Sequence, residues 1–144
     1  MSKISFCAGI VVLVALVGNL KADDDDVNLQ NAPPVVVKAV PQAGMDAVDP
    51  LITQIKVTYS KDMKDGSWSW STAGKDNFPD VVGKPHYLED HRTCVLSVHL
   101  KAGKTYAMWL NSQNFGGFKD VDGNSAVPYL LVFRTRDEDE KGKI

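Results

Sequence analysis

Asp120-Val121-Asp122-Gly123-Asn124 is the stretch of this chain that most resembles a cation site, because carboxylate and amide oxygens around a glycine turn are the hard ligands calcium takes. An EF-hand loop counted from Asp120 needs glycine at its sixth position and glutamate at its twelfth. Those positions hold Ser125 and Leu131, so the segment reads as a turn in which Asp and Asn bond local backbone and Gly123 supplies a positive φ. His86, His91 and His99 lack metal-ligand spacing, and with Cys94 they do not make the four-ligand set of a structural zinc site; they read as surface histidines. No serine stands in a nucleophile elbow and no glycine-rich loop opens a helix to hold phosphate, so no catalytic residue, metal or cofactor is expected. The remaining chemistry belongs to Trp68, Trp70, Trp109, Phe115 and Phe118, whose rings could stack on sugars or grip a peptide if they lie exposed together. Alternation puts Trp68 and Trp70 on one face, which a buried sheet face would explain. It sets Trp109 opposite Tyr106, Met108 and Leu110, as the ring expected outside.

The elements that must carry these residues are strands. From Thr93 to Leu100, Cys94, Leu96, Val98 and Leu100 share one face while Thr93, Ser97 and His99 share the other, the period of a half-buried strand. Leu51 to Tyr59 repeats the pattern with Ile55, Val57 and Tyr59 inward. Further strands are expected at Val35 to Val40, Ser67 to Ser71, Thr105 to Leu110 and Tyr129 to Arg136. Proline interrupts the middle of the chain and leaves only short edge strands near Val81-Val82 and His86 to Leu88. About seven strands without a three-turn helix predict an all-β immunoglobulin-like sandwich. Its expected core is Ile55, Val57, Tyr59, Leu96, Val98, Tyr106, Met108, Leu110, Leu131 and Phe133. Cys94, on the apolar face, is expected to be a buried and inert thiol.

Composition narrows the class. A hydrophobic fraction of 44% with three Trp, four Tyr and five Phe supplies a full core, and a net charge of -2 offers no basic footprint for nucleic acid. Residues 1–22 read as a secretory signal: Lys3 is a short positive start, and Ile4 to Leu20 is almost wholly apolar. The competing reading is an uncleaved N-terminal anchor, the one route by which the protein would touch a membrane. Cleavage would remove Cys7 and leave Cys94 alone, so packing and not a disulfide must hold the fold. Residues 23–33, with four consecutive Asp and a closing proline, read as an extended linker; 34–136 reads as the folded domain, and 137–144 as a disordered charged tail.

Four motifs in order resemble a known family. Pro41 to Pro50 carries a P-x-x-G-x-x-x-V opening, and Ile55 to Met63 an alternating strand before an S-x-x-M ending. Leu100 to Tyr106 resembles an L-x-x-G-x-x-Y corner, and Asp120 to Asn124 a D-x-x-G-N turn before the closing strand. Together they resemble bacterial immunoglobulin-like domains of the surface-layer (SbsA-like) type, over about residues 34 to 136. Tyr59 stands where that family carries Phe, and Trp68, Trp70 and the stretch Ala73 to Lys84 are outside its pattern. The resemblance implies an exported, non-catalytic module with a structural, adhesion or protein-interaction role at the bacterial cell envelope, secreted or periplasmic. Envelope proteins or polysaccharide are its expected partners. The alternative is a small carbohydrate-binding module whose contact residues are Trp109, Phe115 and Phe118.

Overall fold

Alternating side chains become strands because each strand must bury one face and leave the other wet. A computed structural model describes residues 26–138. Eight strands run in chain order: β1 (Val36–Val40), β2 (Gln54–Tyr59), β3 (Trp70–Thr72), β4 (Asp80–Val81), β5 (His86–Tyr87), β6 (Thr93–His99), β7 (Thr105–Leu110) and β8 (Tyr129–Arg134). One antiparallel sheet has the order β1-β2-β6, with β4 and β5 both pairing with β6 on its far side. The second has the order β3-β7-β8, also antiparallel. The two sheets face each other as an all-β sandwich, and the described residues contain no α-helix.

The apolar faces meet where the alternation placed them. All ten expected core residues are buried, joined by Met63, Cys94, Phe118 and Ala126. Val95 departs from the pattern: it is fully buried although its parity points away from the core cluster. β6 is flanked on both sides, and Val95 lies between Lys56 of β2 and His86 of β5, so neighbouring strands cover it.

Two segments differ from expectation, and a third finds an unforeseen partner, each because a distant segment holds it. The third strand starts at Trp70 and not at Ser67, since the Ser67 hydroxyl donates to the Gly117 carbonyl and ties this stretch to the loop after β7. Residues 44–48 form no strand but bond along the free edge of β8. Gly44 N–H donates to the Val132 carbonyl (2.7 Å), Arg134 N–H to Met45 (2.8 Å) and Val48 N–H to Arg134 (3.0 Å). This supplies the partner a bare edge strand would lack. The part of the linker that is described, residues 26–33, is not extended: it turns at Asn28, whose Oδ1 accepts from Gln30 and Asn31, and docks on the sandwich. The expected signal at 1–22 and the tail beyond residue 138 lie outside the described residues.

The corner before β7 follows from Tyr106. Its ring is buried against Phe133, with centroids 5.6 Å apart, and its hydroxyl accepts a hydrogen bond from Lys101 N–H at 2.8 Å. A buried hydroxyl needs a partner, and here that partner locks the turn between β6 and β7.

Candidate functional site

The loop between β7 and β8 carries most of the residues singled out for recognition, and its base is set by Asn111. This residue has φ 56, a left-handed conformation that Asn tolerates better than most side chains, and it is almost fully buried. Its Oδ1 accepts from Phe118 N–H (2.8 Å), and its Nδ2 donates to the carbonyls of Phe118 (2.9 Å) and Ala126 (3.0 Å). One amide therefore closes the loop on itself and pins it to the approach to β8. Gly117 allows the closure: a Cβ there would meet the Trp68 carbonyl oxygen at 2.5 Å. At the tip, Ser112 N–H donates to the Phe115 carbonyl at 2.7 Å, which leaves Gln113, Asn114 and Phe115 exposed.

Phe118 does not belong to a recognition strip, contrary to expectation. It is fully buried, with its centroid 5.2 Å from Tyr59 and 5.6 Å from Trp70, because the Asn111 clamp on its backbone directs the ring between the sheets. Trp68 and Trp70 are partly buried against the same core. Trp109 is half-buried on the outer face of the second sheet, level with Ser71 on β3 and Leu130 on β8. Phe115 is 58% exposed. Trp109 floors a cleft of about 560 Å³ whose other walls are Ser112, Gln113, Asn114 and Pro128. A larger groove of about 720 Å³ runs beside β1, lined by Val37, Val40, Met45, Val48, Ile52 and Tyr129 among others.

The Cys94 thiol and the hydroxyls of Tyr59 and Tyr87 are held in their neutral forms. Burial pushes the Cys94 thiol up to about 12, so it stays neutral at physiological pH. Burial, then Tyr87 and Cys94, raise the Tyr59 hydroxyl above the ordinary tyrosine range; burial also raises Tyr87. The hydroxyls of Tyr59 and Tyr87 and the Trp70 indole nitrogen are buried without hydrogen-bond partners among the described residues. His86, His91 and His99 are exposed and lie apart, and no group of three or more metal-ligating side chains forms among the described residues.

Asp120 is where the acidic loop departs most from a simple surface turn. Its carboxylate is fully buried and accepts from Lys61 Nζ (2.6 Å), Asn124 Nδ2 (2.9 Å) and the N–H groups of Asp122 (3.0 Å) and Asn124 (2.8 Å). Burial alone would raise its pKa, but the bonds from Lys61 and Asn124 prevail and hold it at about 2. Lys61 Nζ also donates to the carbonyls of Gln30 and Ala32, so the same corner anchors the leader. With its lone pairs occupied by protein donors, this carboxylate is structural. Sequence reading missed both Lys61 and Asn111; an Asn that ends an apolar strand just before a glycine-rich loop was the available signal for the latter.

Residues 30–135 match the family of bacterial Ig-like domains, and the chain belongs to that family. The family expected from the four motifs is therefore the one found. Two solved structures are similar: the crystal structure of the S-layer protein rSbsC(31-844), at 20% identity and a TM-score of 0.48, and the structure of surface layer protein SbsC, domains 1-6, at 20% identity and 0.47. Each match covers 73% of this chain and 14% of the other. No curated protein sequence matches the chain.

Proposed function

We propose that the protein is an exported, non-catalytic Ig-like module with a structural, adhesion or protein-interaction role at the bacterial cell envelope. In this reading residues 1–22 are the export signal, 23–33 a leader, 34–136 the working domain and 137–144 a charged tail. The family match across residues 30–135 carries it. The state of the titratable groups supports it, since Cys94 is a neutral buried thiol and Asp120 a saturated carboxylate. The groove beside β1 is the place where a protein contact would fall: Val37, Val40 and Met45 on its wall are 61%, 46% and 47% exposed.

Fractionation of bacteria expressing the full chain, with mass spectrometry of the recovered protein, tests the reading. The expected product lies outside the cytoplasm and lacks its first 22 or so residues. Full-length protein in the soluble cytoplasmic fraction refutes export; full-length protein in the membrane fraction refutes cleavage and makes the leader an anchor.

A further inference from the structure

The cleft floored by Trp109 has a composition that the envelope role neither requires nor explains. Its lining is one tryptophan, one proline and three neutral polar residues, Ser112, Gln113 and Asn114, with no charged residue. From this we infer that the cleft binds a neutral pyranose sugar, with the ring stacked on Trp109 and its hydroxyls bonded to Ser112, Gln113 and Asn114.

Sugar rings present apolar C–H faces bordered by hydroxyls. A site for them needs an aromatic platform beside groups that both donate and accept, and carboxamides and hydroxyls do both. The geometry supplies the two in one place. Trp109 is one of the outward residues of β7; its neighbour Ser71 on β3 is too small to cover it, and Leu130 of β8 borders it on the other side. The amides of Gln113 and Asn114 stand exposed at the tip of the adjoining loop. A volume of about 560 Å³ falls within the usual range of small-ligand sites. The absence of charge in the lining complements an uncharged glycan and disfavours acidic ones, whose carboxylates would be desolvated without a cation to pair with.

Preorganisation separates this loop from an ordinary exposed one. The three Asn111 hydrogen bonds fix its base, the Ser112-to-Phe115 turn fixes its tip, and Ser125 Oγ donates to the Gly116 carbonyl at 3.0 Å. The backbone that carries Gln113 and Asn114 is thus fixed before the ligand arrives, which lowers the ordering cost of binding to that of the two side chains.

The test is an NMR titration of the full chain with four probes: cellotetraose, maltotetraose, tetra-N-acetylchitotetraose and, as the acidic control, tetragalacturonic acid. At least one neutral probe is expected to shift the Trp109 indole N–H and the side-chain amides of Gln113 and Asn114, with tetragalacturonic acid weaker than that probe. Trp109→Ala is expected to weaken binding about tenfold or more. Because that change also removes packing, the exposed Gln113→Ala serves as the second variant and is expected to weaken binding several-fold with an unchanged melting temperature. No shift at the cleft with any neutral probe overturns the proposal, and so does binding that both variants leave intact. Preference for the acidic probe overturns the assignment of a neutral ligand. None of these results bears on export, and cytoplasmic retention would leave the cleft's binding unaltered.

Discussion

Replacing Asp120 by Asn keeps the side chain's size and removes its charge, so it isolates what the buried carboxylate contributes. Four donors converge on Asp120, two on each oxygen: Lys61 Nζ and Asn124 Nδ2 on Oδ2, and the Asp122 and Asn124 N–H groups on Oδ1. An amide has only one acceptor oxygen, and whichever way it lies its NH2 faces two donors. The wild-type carboxyl falls from 3.8 to about 2 on folding. At about 1.4 kcal/mol per pKa unit, that corresponds to roughly 2 kcal/mol of stability at neutral pH. The sign follows from the depressed folded value. The contribution is fully present above about pH 4, where the unfolded-state carboxyl ionises, and is lost as pH falls through about 2, the folded value. Urea unfolding of wild type and Asp120→Asn should therefore differ by about 2 to 3 kcal/mol at pH 7, and the gap should narrow steadily as pH falls from about 4 towards 2. The difference between the two proteins matters here, because it cancels the titration of every other carboxylate. A gap that stays constant down to pH 2.5, or is absent at pH 7, would refute the reasoning.

Three further outcomes can be measured on the same material. Tyr106→Phe leaves the Lys101 N–H without its 2.8 Å acceptor and should cost about 0.5 to 1.5 kcal/mol in chemical denaturation; no loss would count against the corner. Asn111→Ala removes three buried hydrogen bonds and puts at φ 56 a residue that tolerates the left-handed region less well than Asn, so a loss of about 2 to 4 kcal/mol is expected, with hydrogen-exchange protection falling at Phe118. A loss below half a kilocalorie would show the loop to be held by something else. Cys94 should resist a thiol-specific reagent at pH 8 until the protein unfolds, since its thiol is buried and held up to about 12; labelling of folded protein at the rate of a free thiol would contradict that environment.

How much was legible in advance depended on the range of the interaction. Period-two alternation is written into neighbouring residues, so the paired faces of β2, β6, β7 and β8 and all ten expected core residues could be read without coordinates. The Tyr106 corner could too, because acceptor and donor lie five residues apart. Trp109 was correctly set on the face opposite Met108 and Leu110.

Where the partner lies far along the chain, the sequence by itself determined little. Phe118 has the same composition of neighbours as an exposed loop ring, and only its contacts with Tyr59 and Trp70 on other strands, together with the Asn111 clamp, bury it. Lys61 and Asp120 are 59 residues apart, and nothing local marks them as one buried pair. Residues 44–48 are a loop, and nothing local marks their backbone partners as Val132 and Arg134 of β8. Strand identity and facing were thus decided by local periodicity, whose signal survives in any window of a few residues. The loop positions, the docked leader and the Trp109 cleft were decided by tertiary structure, because backbone groups without a local partner must find one wherever the closed sandwich brings another segment near.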